Sequence, residues 1–124
     1  FNWKLPRKRT INLLYEENEN MKVNVQADEN ILVEKTPANL FKGMEAVGGK
    51  LTITDKRLIF KAHKLNIQGG TTEILMSNID SVDKASTLKI IPNRMIVKTK
   101  DGEAFKFVVY KRDKLVDIIT GHLK

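Results

Sequence analysis

Apolar and polar residues alternate with period two along most of this chain, and the clearest run of that pattern is 50–61. Leu51 and Ile53 alternate with Lys50, Thr52 and Thr54, as in a half-buried strand. After Asp55-Lys56, Leu58 and Phe60 alternate with Arg57, Ile59 and Lys61, so a second strand begins at once. Two intervening residues leave no room for a crossover helix, and the strands must pair as an antiparallel hairpin. Gly48-Gly49 can adopt positive φ and is expected to mark where the first of them starts.

The same reasoning extends in both directions. Residues 22–26 alternate around Val23 and Val25 as an edge strand, and 31–35 form the first firm strand, stopped by Thr36-Pro37. Residues 38–47 read as a partly helical or irregular connection whose Phe41 and Met44 lie as lids on the core. Residues 62–70 form a loop or strand extension ending in Gly69-Gly70, and 71–76 a strand; Ser77-Asn78 turns into 79–84, held by Ile79 and Val82. Leu88 and Ile90 alternate in 87–91, Pro92-Asn93 turns, and 94–100 places Met95 and Val97 on one face. Asp101-Gly102 is a strong hairpin signal of the type I′ kind, leading into 105–109 with Phe105, Phe107 and Val109 inward.

The period then changes. Across 111–124, Leu115, Ile118, Ile119 and His122 or Leu123 recur at helical spacing, opposite Lys114 and Asp117. One amphipathic helix after many short strands must bury its stripe on their sheet. The expected fold is therefore mainly β with one C-terminal helix: a strongly bent antiparallel sheet or partial barrel, plugged at one end by the helix. Residues 1–20 differ in character, mixing Phe1 and Trp3 with the basic Arg7-Lys8-Arg9, and 21–124 form the domain proper. Three readings of 1–20 stay open: an extension ahead of a natural start at Met21, a docking arm on the barrel or a neighbouring copy, and a basic-aromatic segment beside a membrane anchor.

At 124 residues the chain supports one core. No apolar run approaches the roughly 20 residues of a membrane-spanning helix. No leader is visible, although a chain opening on Phe1 leaves room for a removed upstream segment. With no cysteine, disulfides, thiolate metal sites and cysteine nucleophiles are excluded together, which suits a reducing, cytoplasmic setting. A net charge of +7 turns attention to acidic partners: anionic lipid, nucleic acid or an acidic protein.

The 48–60 stretch, Gly-Gly-Lys-Leu-Thr-Ile-Thr-Asp-Lys-Arg-Leu-Ile-Phe, resembles the signature of GRAM domains, a branch of the pleckstrin-homology-like fold. Gly49, Leu51, Thr54, Arg57, Leu58 and Phe60 fill its pattern, and the likeness runs from about Glu29 to His122, with further matches at 79–82 and 105–113. The resemblance implies a barrel of about seven strands closed by the C-terminal helix, and a module binding anionic lipids or proteins. It also implies a lipid pocket at the open barrel end between 37–49 and 62–71. Those segments offer Lys42, Lys50, His63 and Lys64, with Arg57 and Lys61 on the adjoining strand. Arg57, as part of the signature, also has a structural reading as partner of Asp55 or Glu73.

Little else in the chain points to chemistry. His63 and His122 have no carboxylate at ligand spacing, so no metal is expected, and His122 suits the negative pole of the helix. No phosphate-binding Gly-Lys-Ser/Thr loop or serine nucleophile elbow appears, and Asp80 and Asp83 have no acid–base partner. The expectation is a non-enzyme without cofactor. Arg94, Lys98 and Lys100 with Lys89 and Lys106 form a cationic strand face, but the aromatics that would stack bases point inward, which argues against nucleic acid. Two functions remain: peripheral association with an anionic membrane or a protein there, and protein interaction or self-association through the arm or a sheet edge.

Overall fold

The 50–61 alternation becomes a hairpin buried in the middle of a sheet. The computed structural model describes residues 22–63 and 70–123. It contains strands β1 (Ile31–Lys42), β2 (Glu45–Thr54), β3 (Arg57–Ala62), β4 (Thr71–Leu75), β5 (Ile79–Thr87), β6 (Ile91–Thr99) and β7 (Ala104–Val109), then helix α1 (Arg112–Thr120). One antiparallel sheet runs in the order β4-β3-β2-β1-β7-β6-β5 and curls into a half-barrel. Its two terminal strands are joined by a 3-10 turn, Met76–Asn78. There Met76 N donates to Lys56 O (2.8 Å), and Lys100 N to Asn78 O (2.7 Å).

Leu51 pairs with Phe60 and Ile53 with Leu58 on the inner face, all four buried. Leu40, Met95, Val97 and Phe107 complete the layer, and the Phe60 and Phe107 rings meet edge to face at 6.0 Å. The stripe of α1 buries Leu115, Val116 and Ile119 in the same core. Lys111 turns the chain out of β7 into α1 with φ +57, and Arg112 Nη1 donates to Ala85 O (2.7 Å), holding the helix start to β5. His122 Nδ1 lies 3.0 Å from Ile118 O at the helix end, the structural place expected for it.

Several local expectations are corrected. Thr36-Pro37 does not stop the first strand; β1 passes through it to Lys42. A bulge lies just before, with register shifts at 31–36 and Lys35 at φ +50, and β7 pairs only with Ala38–Leu40. Pro37 therefore sits where β7 requires no donor. Residues 38–47 are not an irregular link, since only Gly43 and Met44 separate β1 from β2. Nor do Gly48 and Gly49 start a strand: they lie inside β2, with no positive φ at either. A Cβ on Gly49 would stand 2.2 Å from Lys61 O and 2.9 Å from Ala62 Cα, so close approach to β3 demands the glycine.

Residues 22–26 form no strand. The 87–91 alternation is a turn across Leu88–Ile90, with Leu88 and Lys89 at φ +54 and +61, and Pro92-Asn93 belong to β6. The 101–102 hairpin forms, but only Gly102 has positive φ, so the turn is not type I′. Met44 is 99% exposed and no lid, while Phe41 is half-buried beneath the Arg94 guanidinium on the outer face, 5.1 Å from ring centroid to Cζ.

Candidate functional site

The signature residues build a clamp at one end of the barrel. Thr54, the last residue of β2, accepts hydrogen bonds at Oγ1 from Lys56 N (3.1 Å) and Arg57 N (3.0 Å), which fixes the β2–β3 turn. The same hydroxyl donates to Glu29 Oε2 (2.6 Å). Arg57 extends over this corner and donates from Nε to Glu29 Oε2 (2.7 Å) and from Nη2 to Glu29 Oε1 (3.0 Å). Its Nη1 donates to Glu73 Oε2 (2.6 Å), and its Nη2 also donates to Asn24 O (2.6 Å).

The Arg57 guanidinium holds the buried Glu29 carboxyl down at about 2, against the burial that would raise it. Arg57 is itself raised, first by Glu29 and then by Glu73. Asp55 is not its partner: Asp55 accepts from Asn30 N (3.0 Å) and Asn30 Nδ2 (3.2 Å), tying the turn to the start of β1 and lowering the Asp55 carboxyl.

The opposite end carries the other candidates. Alternation from the buried Leu51 and Phe60 puts Lys50 and Lys61 on the outer face, directly across from each other. The ion pairs among the described residues use Lys56, Arg57, Lys84, Lys98 and Arg112, and neither Lys50 nor Lys61 joins one. Two like charges facing each other across a ladder are unfavourable, and no carboxylate offsets them here. Beside it runs a shallow groove of about 470 Å³, lined by Pro37, Asn39, Gly48, His63, Asn93 and Tyr110. Lys50 borders it as the β2 partner of Pro37. Lys111 Nζ stands 5.6 Å from the Tyr110 ring centroid at the groove's far side.

The six cations are thus only partly brought together. Lys50, Lys61 and His63 share the region of the groove. Lys42 follows Ala38 and Leu40 on the inner face and donates from Nζ to Thr72 Oγ1 (3.5 Å) across the barrel mouth. Arg57 belongs to the clamp, with four hydrogen bonds to protein atoms. Lys64 lies outside the described residues, as do Met21, the 1–20 arm and most of the 62–70 loop. A second cavity of about 610 Å³ adjoins the clamp, but Asp55 and Glu73 line it with Lys56, Arg57, Lys100 and His122. Its mixed charge makes it a poorer seat for an anion.

Glu29, Tyr110 and Arg94 were not singled out from the sequence as site residues. Glu29 stands 28 residues before Arg57, a separation no local pattern spans.

A family model described as the GRAM domain matches residues 17–122. The chain belongs to the GRAM domain family. Solved structures similar to this GRAM domain share the pleckstrin-homology-like fold at low sequence identity. One is the C-terminal domain of an unknown protein from Leishmania infantum, with TM-score 0.64 and 18% identity, covering 91% of this chain and 96% of that one. Another is the Vps36 N-terminal PH domain, with TM-score 0.59 and 16% identity over 80% of each chain. A third is the hSac2 domain from the human phosphoinositide phosphatase Sac2, with TM-score 0.54 and 14% identity, covering 93% of this chain and 79% of that one. No curated protein sequence matches. Among the described residues no helix of this GRAM domain is long and apolar enough to cross a membrane.

Proposed function

We propose that this GRAM domain is a non-catalytic module that associates peripherally with anionic membranes through the end of the barrel bearing Lys50, Lys61 and His63, at the cytoplasmic face. The observation that carries this reading is the Lys50–Lys61 cross-strand pair, two half-buried cations side by side without a carboxylate. Lys42 at the mouth and Lys64 in the 62–70 segment belong to the same proposed surface. Arg57 does not, because its donors already serve Glu29, Glu73 and Asn24.

A lysine near an anionic bilayer contributes on the order of 1 kcal/mol. Four such cations give roughly 4 kcal/mol, which corresponds to about millimolar binding. The attraction is weak, reversible and sensitive to salt. The test is co-sedimentation with phosphatidylcholine vesicles, with and without phosphatidylserine, across a salt titration. Binding that requires phosphatidylserine and fades above physiological salt supports membrane association. A mass that grows with protein concentration, without vesicle binding, overturns it in favour of self-association.

A further inference from the structure

Ile59 is buried where alternation leads outward. It shares a strand face with Arg57 and Lys61, opposite the inward Leu58 and Phe60, yet it is only 3% exposed. It also lies outside the cluster of buried residues that fills the barrel. Thr52, its partner across the β2–β3 ladder, is 1% exposed on the same face. Something covers this pair, and it is not the helix, since α1 buries Leu115, Val116 and Ile119 in the core beneath the opposite face. The bulge of β1 covers part of Thr52, where Lys35 N donates to Oγ1 (3.2 Å). But β1 borders β2 and stands one strand short of β3.

The incoming chain already runs over this face. Glu29 sits on Thr54 and Arg57, and Asn24 O accepts from Arg57 Nη2 (2.6 Å), one outward position before Ile59. Val23, next in line, is half-buried. The GRAM match begins further upstream still, at residue 17. In the sequence ahead of Lys22, Thr10 suits a helix N-cap, and Ile11, Leu14 and Tyr15 recur at the spacing of one helix face. From Lys22 back to Tyr15 the chain can reach about 24 Å, against about 7 Å along β3 from Arg57 to Ile59. Eight helical residues over 10–17 would measure about 12 Å, enough to cross from β2 to β4, about 10 Å apart.

We infer that the segment ahead of Lys22 docks on the outer face of β2, β3 and β4 of its own chain, seating Ile11, Leu14 and Tyr15 over Ile59. A tethered stripe suits this place better than a second copy, because the link through Asn24 keeps it within reach at every protein concentration. Docked so, the segment closes the outer face beside Lys61 and leaves Arg7-Lys8-Arg9 as a short basic tail fixed to the barrel. The inference goes beyond the membrane reading and does not rest on it.

The parent full chain, labelled at its isoleucine and leucine methyl groups and its tyrosine rings, gives the direct readout. Nuclear Overhauser effects are expected from the Ile59 methyls to Ile11, Leu14 and Tyr15. The absence of cysteine permits a second measurement in the full chain: alkylation of Ile59→Cys by iodoacetamide, with the exposed Ser77→Cys as control. Adding Leu14→Asp to each should speed alkylation at position 59 about tenfold or more and leave position 77 unchanged.

Overhauser effects confined to Val23 and the ladder neighbours of Ile59 overturn the docking, as does alkylation at 59 that Leu14→Asp leaves unchanged. Contacts seen only between differently labelled chains in a mixed sample overturn it in favour of a neighbouring copy. Neither readout involves lipid, so this inference and the membrane reading fail separately.

Discussion

Removing the Arg57 side chain should damage the fold far more than removing any other cation named above. Arg57→Leu leaves Glu29 with only the Thr54 hydroxyl and Gln26 N as donors, and leaves Glu73 and Asn24 O without theirs. The Glu29 carboxyl is depressed from 4.5 to about 2. At about 1.4 kcal/mol per pH unit, that difference corresponds to roughly 3 kcal/mol, at the lower edge of the range for removing one partner of a buried pair. A domain of this size has a total stability on the order of 5–15 kcal/mol.

Urea unfolding followed by circular dichroism at pH 7 measures the effect directly. A loss below about 1 kcal/mol would refute the reasoning, since it would mean that water already solvates Glu29. The sign with pH is fixed as well. Glu29 is depressed in the folded state, so its contribution is complete above its unfolded value of 4.5 and is lost as pH falls toward 2. Asp55, Asp101 and Asp113 are lowered too and act in the same direction. The difference between the parent chain and Glu29→Gln isolates the clamp: it should be widest above pH 5 and shrink as the solution is acidified.

Other outcomes follow from single contacts. Gly49→Ala places a methyl 2.2 Å from Lys61 O, so the variant should fail to fold or lose several kcal/mol in the same urea assay. Ile119→Ala, at a fully buried position on α1, should cost about 2–5 kcal/mol. Met44→Ser should leave the urea midpoint within about 0.5 kcal/mol of the parent, because the side chain touches almost nothing. Lys50→Glu/Lys61→Glu should keep the fold and abolish phosphatidylserine-dependent co-sedimentation.

The core of this fold was readable wherever a strand keeps one face buried. Leu51, Ile53, Leu58, Phe60, Met95, Val97 and Phe107 all fall inward as their alternation requires, and Leu115 and Ile119 as helical spacing requires. The pattern misled where alternation had another cause. Leu88 and Ile90 alternate because both project from a turn, and period alone cannot separate that from a strand. Gly48-Gly49 looked like a boundary because positive φ and close backbone approach demand the same residue. Neighbouring sequence does not reveal which of the two applies.

The site was legible as residue types but not as an arrangement. Lys50 and Lys61 meet because the hairpin register puts them opposite each other, and a short tight turn makes that register inferable. Glu29 is invisible as the Arg57 partner because 28 residues separate them, and Asp55, nearer in sequence, is taken by Asn30. The signature arginine, the most conspicuous cation in the chain, therefore belongs to the architecture, while plain lysines form the exposed surface.

The central claim is that one end of this barrel faces an anionic membrane. Amide chemical-shift mapping of the uniformly labelled chain against bicelles containing phosphatidylserine tests it most directly. The account predicts perturbations gathered at 42–45, 50, 61–63 and 110, with the clamp around Arg57 and the end of α1 unchanged. Perturbations centred on Lys56, Lys100 and His122 would contradict it.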